Sequence, residues 1–261
     1  EKGKMQVKRF AKSRKKSRCW FEYIYFSNVA SRIDDLGVYE ARATAGRILS
    51  EAEDQQIDGN SIVVPVPDTG KAAADAFAYG LSIPCIEGIM RNRFAGRTFI
   101  QSMTHTFSLD NKYTILPSVI SGKKVFVVED SIVRGATLRA LVKKIVGLAK
   151  EVHIRVACPP IISPCFYGID MSRLDELFAL RFFRNTRKGS EKLVFKKMAK
   201  ALGVNSIRYL NVDDLILCLN AKRETLCLGC VTGKYPTVYG SKLVRKARRN
   251  QSKGIPGRTY E

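Results

Sequence analysis

The chain has 261 residues, 45% of them hydrophobic, enough for one sizeable domain with appendages. No apolar run is long enough to span a bilayer, and the basic N-terminus lacks the apolar core of a secretory leader. A cytoplasmic protein with no membrane partner is therefore expected.

The formal charge of +21 is unevenly placed. Residues 1–18 hold nine Lys/Arg and one Glu, residues 181–201 eight and one, and residues 241–261 seven and one, so the remainder is neutral on balance. Such runs suit nucleic acid or another anionic surface, but they also describe solvated ends and a basic helix face. No aromatic residues are interleaved for base stacking, and the second reading is preferred.

Taken in order, Cys19 to Phe26 (CWFEYIYF) is aromatic and β-branched and reads as a strand or buried extended segment. Val38 to Glu51 reads as a helix. Ser61 to Val66 reads as a strand, with Pro65 marking a strand end. Pro67-Asp68-Thr69-Gly70-Lys71 leads into an Ala-rich helix from Ala72 to Tyr79, with Gly80 as its stop. Taken alone, Asp-Thr before a helix is a helix cap. Met90 to Ile100 carries Arg91, Arg93 and Arg97, whose forked guanidinium groups suit phosphate.

Val125 to Thr137 (VFVVEDSIVRGAT) organises the chain. Four apolar residues form a short buried strand, Glu129 and Asp130 follow, and a turn of small residues enters an amphipathic run from Leu138 to Ala149. Open parallel sheets bind ligands at that carboxyl end. Paired carboxylates hold sugar hydroxyls or hard cations such as Mg²⁺, and amides at a helix start attract phosphate. A strand end followed by a helix cap fits the same letters. Val152 to Ala157 reads as a strand. Residues 174–219 read as helical, with a short strand near Ile207 to Leu210. His105 and His153 lie in no catalytic constellation, and surface or loop placement is expected.

Seven cysteines are present. Cys85, Cys158 and Cys218 have the apolar neighbours of buried thiols. Cys227-x-x-Cys230 has chelating spacing, which leaves zinc, redox chemistry and coincidence open.

The string VEDSIVRGAT resembles the phosphoribosyl pyrophosphate motif of type I phosphoribosyltransferases, and in its full form that of the glutamine phosphoribosylpyrophosphate amidotransferase family. The resemblance runs from about Cys19 to Tyr239, through CWFEYIYF, the Tyr39-Glu40-x-Arg42 helix start, MRNRFAGRTFI and Cys165-Phe166-Tyr167-Gly168-Ile169-Asp170. It implies an α/β type I phosphoribosyltransferase fold, a mainly parallel sheet flanked by helices. The implied division is a basic N-terminal remnant (1–18), the phosphoribosyltransferase domain with a cluster-binding segment (19–240), and a basic tail (241–261).

The implied reaction forms 5-phosphoribosylamine from phosphoribosyl pyrophosphate and ammonia, the first step of purine synthesis, in a homo-oligomer. The family's glutaminase half has no counterpart in these residues, so ammonia would come from another domain, a subunit or solution. Asp68, Thr69, Gly70 and Lys71 match the pyrophosphate loop. Glu129 and Asp130 match the residues on the ribose hydroxyls, and Ser131, Gly135, Ala136 and Thr137 match the 5-phosphate cradle. Thr69, Glu129 and Asp130 would hold Mg²⁺. Arg93, Arg97 and Lys112 would be catalytic, although Gln101 to Ile120 departs from the family pattern and leaves Lys112 as its one Lys or Arg. Cys19, Cys165, Cys227 and Cys230 match the four ligands of a [4Fe–4S] cluster in one branch of the family. The alternative is a non-catalytic module that binds phosphoribosyl pyrophosphate and has nucleic-acid affinity.

Overall fold

Arg18–Cys19 (β1) lies parallel beside Leu226–Cys227, so the first ordered strand is tied to a segment near the C-terminus. The computed structural model describes residues 3, 5–12, 15–92, 112–171, 173–183 and 189–255.

The aromatic stretch after β1 is not the extended segment its composition suggests. Glu22–Phe26 winds into one wide π-type turn, closed by the Ser27 N–H on Glu22 O at 2.9 Å. Trp20, Phe21, Tyr23 and Ile24 are all at most 2% exposed, a helical spacing of buried side chains. Aromatic strand preference is largely a packing preference, and here packing favours a turn. The buried Arg42 fixes it, donating to the carbonyls of Tyr23, Tyr25 and Ser27 at 2.9, 3.1 and 2.8 Å.

A small hairpin, β2 (Arg32–Ile33) and β3 (Leu36–Gly37), leads into α1 (Val38–Glu51), whose Glu40 carboxylate accepts the Gly37 N–H at 3.0 Å. Next come β4 (Ser61–Pro65), which Pro65 ends, and α2 (Lys71–Leu81). The two helices approach closely: a Cβ on Gly46 would lie 2.0 Å from the Ala73 carbonyl. The same packing explains why Gly80 does not end α2. It sits against Ser50, where a Cβ would meet Oγ at 2.1 Å, and the helix stops at Ser82 in the left-handed region (φ 55°).

β5 (Ile89–Arg91) and β6 (Tyr113–Ile115) pair antiparallel, with Arg91 opposite Tyr113. Arg93, Arg97 and His105 lie outside the described residues. A short α3 (Pro117–Ile120) precedes β7 (Lys124–Glu129), whose six residues are all buried. Then follow α4 (Ala136–Val146), β8 (Glu151–Val156), α5 (Leu180–Phe183), α6 (Glu191–Leu202), β9 (Ser206–Tyr209), α7 (Val212–Cys218), β10 (Leu226–Cys227), α8 (Gly229–Thr232) and α9 (Val238–Ser252). α9 runs across residue 240 and buries Leu243, Val244 and Ala247.

The sheet order is β4-β7-β8-β9, parallel throughout, with an isolated bridge from Val63 to Cys85 beside β4. Helices cover both faces, so even polar strand residues are buried. His153, expected at the surface or in a loop, is 1% exposed on β8. Its ring nitrogens meet Ser206 Oγ at 2.8 Å and Glu151 at 3.0 Å, and burial lowers its pKa. Two places along the strand, the Arg155 guanidinium grips Glu53 through 2.5 and 2.7 Å contacts, both side chains at most 2% exposed. Cys158 and Cys218 are buried as expected, whereas Cys85 is half-buried. Among the described residues, no helix is long and apolar enough to cross a membrane.

Candidate active site

β4 and β7 end side by side, and the loops that leave them face one another. The loop after β4 is held low by Gly70: a Cβ there would lie 2.7 Å from Val128 O and 2.8 Å from Val66 O. The Pro67–Asp68 peptide bond in this loop is cis. Thr69 Oγ1 donates to Asp130 Oδ2, and Ser131 Oγ donates to Asp130 Oδ1 at 2.5 Å.

Glu129 and Asp130 are 8% and 3% exposed. Burial pushes Glu129 well above the usual carboxylate range, and the Asp130 charge adds to it. Burial also raises Asp130, opposed by the hydroxyls of Ser131 and Thr69 and by the charge of Arg42. Two adjacent buried acids with raised pKa values form a site that a cation would relieve.

The loop after β7 turns at Gly135, which has φ +74° and sits against Phe178, leaving 3.1 Å for any Cβ. The first intrahelical bond of α4 comes from Arg139 N–H to Gly135 O at 3.0 Å, so the amides of Ala136 and Thr137 precede the ladder. Arg134 anchors the loop from outside, with Nε on Glu176 at 2.7 Å.

These groups border a cleft of about 530 Å³. Thr69, Glu129, Asp130, Ser131, Gly135, Ala136, Thr137 and Lys112 all line it. The Lys112 ammonium lies 5.2 Å from the Tyr113 ring centre. Asp68 and Lys71 are turned elsewhere, to Arg91 at 3.0 Å and Glu87 at 2.5 Å, and Gly70 shapes the backbone beneath. Sequence reasoning did not assign Phe21, Tyr25, Phe26 or Tyr113, which also line the cleft. Burial pushes the Tyr113 phenol up to about 12, and its hydroxyl reaches Pro67 O at 3.5 Å. Their aromatic character was legible, but the turn that aims the first three at the cleft was not.

A second centre lies close by. The β1–β10 register sets Cys19 opposite Cys227. Cys230 follows in α8 and accepts the Trp20 Nε1–H at 3.2 Å. With Cys165 they line one cavity of about 630 Å³. Burial pushes the Cys19 thiol up to about 11 and also raises Cys227 and Cys230. Among the described residues, no group of three or more His, Cys, Asp or Glu side chains is set to hold a metal ion. Phe21, Phe26, Ile169 and Met171 border both this cavity and the cleft.

A parallel sheet with a buried acid pair at the end of β7, a loop leading from it into a helix start, and the loop after the neighbouring β4 facing it defines a phosphoribosyltransferase-type α/β domain. No family model matches the sequence. The amidophosphoribosyltransferase of Methanocaldococcus jannaschii is 43% identical over 222 residues, 84% of this chain and 44% of the relative. That of Bacillus subtilis is 36% identical over 240 residues, 89% of this chain and 48% of the relative. The solved B. subtilis glutamine phosphoribosylpyrophosphate amidotransferase, complexed with ADP and GMP, superposes with a TM-score of 0.72 at 35% identity, over 88% of this chain and 49% of that one. Over most of its length the chain is homologous to amidophosphoribosyltransferases, and the part of them that it matches corresponds to their phosphoribosyltransferase half. The chain spans about half the length of these relatives.

Proposed function

We propose that this domain binds phosphoribosyl pyrophosphate and forms 5-phosphoribosylamine from it and ammonia. The observation that carries this is the Thr69–Asp130–Ser131 junction, which joins the two loops at the end of the sheet above one cleft. Ammonia attacks C1 of the ribose, a C1–N bond forms, the C1–O bond to pyrophosphate breaks, and the nitrogen then sheds a proton. No covalent nucleophile on the protein is required; positioning and electrostatics suffice. Glu129 and Asp130 accept from the ribose hydroxyls and fix the ring. The amides from Ser131 to Thr137 hold the 5-phosphate at the start of α4. Lys112 supplies positive charge at the cleft mouth. Phe21, Tyr25 and Phe26 form an aromatic wall on one side.

The hard oxygen donors and raised acids fit Mg²⁺, which Asp130, Glu129 and Thr69 would hold. Bound there, it would offset the charge of the departing pyrophosphate.

Cys19, Cys165, Cys227 and Cys230 match the four cluster ligands of the family resemblance and line one cavity, which supports the reading that they would hold a [4Fe–4S] cluster. Four thiolate donors suit iron–sulfur ligation. Such a cluster would staple the C-terminal segment to β1 and release protons from the buried thiols as it binds.

Calorimetric titration of phosphoribosyl pyrophosphate with and without Mg²⁺ tests the binding half of this reading. Saturable binding that needs Mg²⁺ and is lost in Asp130→Asn supports it. Binding indifferent to both removes it.

A further inference from the structure

The basic run near the C-terminus is docked on the domain as part of α9 (Val238–Ser252), whose Gly240, Leu243, Val244 and Ala247 are buried. Thr237 caps this helix, its hydroxyl oxygen accepting the Gly240 N–H at 3.0 Å. Lys242, Arg245, Lys246 and Arg249 take the opposite face and are all exposed, and Lys253 continues the row at the C-cap. Residues three and four apart are neighbours on a helix, so these positions form one stripe. Five positive charges thus stand along about 16 Å of helix axis. None of the five lines the cleft or the four-thiol cavity.

A helix face that serves only solvation mixes its signs, because acids three or four places from bases stabilise it. This face holds one sign. Neither Asp nor Glu occurs from Thr225 to Tyr260, and among the described residues none of the five cations is in an ion pair. Like charges at such spacings destabilise the helix that carries them. The helix dipole accounts for cations at the C-terminal end, Arg249 and Lys253, but not for Lys242, Arg245 and Lys246. Tyr239, 66% exposed, lies three residues before Lys242 and seven before Lys246, on the same face. In sequence it precedes the basic run; on the helix it heads the row.

Chemistry selects the partner. Lying in a membrane surface needs an apolar helix face, and that of α9 is already buried in the domain. Arginine forks among lysines, with an exposed aromatic ring at their head, suit phosphates that carry unpaired bases. The charges also recur at nearly the axial spacing of phosphates along one nucleic-acid strand, about 3.4 Å. We propose that the outer face of α9 binds single-stranded nucleic acid, its cations meeting successive phosphates and Tyr239 stacking on a base. This inference is independent of the catalytic reading.

The test is fluorescence anisotropy of the full chain with labelled oligothymidylate across a salt series. Unlabelled oligothymidylate, polyglutamate and anionic lipid vesicles serve as competitors. The triple change Lys242→Gln, Arg245→Gln, Arg249→Gln removes charge at exposed positions and leaves the buried face of α9 intact. Tyr239→Ala removes the ring. Lys192→Gln, Lys196→Gln, Lys200→Gln removes the same charge from the exposed side of α6. The expected result is saturable binding whose logarithm falls with log salt at a slope of about −3.5, roughly 0.7 per phosphate contact. The α9 triple change should flatten that slope by about two and weaken binding about tenfold or more. Tyr239→Ala should weaken it about fivefold or more, and the α6 triple change should alter neither slope nor affinity. Equal loss from both triple changes, an unchanged slope in the α9 variant, or indifference to Tyr239→Ala overturns the proposal. So does displacement by polyglutamate or vesicles as readily as by oligothymidylate.

Discussion

Thr69 donates its hydroxyl hydrogen to Asp130 across 61 positions of sequence. That one bond joins the loop after β4 to the loop after β7. It gives the cleft a floor made by two strand ends, with a carboxylate already oriented by Thr69 and Ser131 before any ligand arrives. Preorganisation of this kind has a stability cost, because the acids are buried beside one another.

Glu129→Gln should therefore stabilise the chain while weakening its ligand binding. The folded-state pKa of Glu129 is raised, so its contribution is most favourable at low pH and is lost as pH rises from the ordinary carboxylate range through the raised value. At neutral pH the variant should gain on the order of 1 kcal/mol, about 2–4 °C in Tm, and the gain should shrink at acid pH. Thermal melts across pH, beside calorimetry with phosphoribosyl pyrophosphate and Mg²⁺, check both halves. A variant less stable at neutral pH would contradict the account.

Glu53→Gln should act in the opposite sense. Despite burial, its hydrogen bonds and the Arg155 charge hold Glu53 below the usual range. Stability from this pair is present above the unfolded carboxylate pKa and is lost as pH falls through the depressed folded value. Removing the charge strands Arg155, 1% exposed, at a cost of about 3–5 kcal/mol. Urea unfolding at neutral pH measures this, and a cost under about 1 kcal/mol would show that the pair is not buried in solution.

Gly70→Ala should disturb the cleft through the backbone. The added Cβ meets two carbonyl oxygens at 2.7 and 2.8 Å, and neither belongs to a flexible side chain. A loss of about 1–3 kcal/mol and a weakened Mg²⁺-dependent ligand affinity are expected. Denaturant midpoints and calorimetry on the same preparation would show both, and an unchanged affinity would place the loop outside the site.

Cys230→Ser should abolish iron and labile-sulfide incorporation in anaerobically purified protein, whereas Cys85→Ser should leave it intact. Cys230 lies in the four-thiol cavity and Cys85 on the far edge of the sheet. Zinc in place of iron, or iron retained without Cys230, would remove the cluster proposal.

Much of this architecture was legible because its signals are local. Val125 to Val128, followed by two acids, small residues and a helical period, spells strand, loop and helix within one window, and β7 and α4 follow it closely. The bounds of α1 were legible for the same reason. What the residues alone did not disclose depends on distant partners. The turn at Glu22–Phe26 needs Arg42 to collect its carbonyls, and Gly80 stays helical because Ser50 packs against it. His153 is buried because Ser206 and Glu151 satisfy its ring. The CxxC spacing fixed two thiols of the four. The β1–β10 pairing that brings Cys19 to Cys227 spans nearly the whole chain, and only a family resemblance pointed to it.

The most direct measurement is pyrophosphate release from phosphoribosyl pyrophosphate and Mg²⁺ by anaerobically purified protein, with ammonia added or withheld. The account predicts release that depends on ammonia and is lost in Asp130→Asn. Tight binding without release would contradict it and leave a binding module. Release driven by a free nucleobase but not by ammonia would contradict it too, and assign the domain to base salvage.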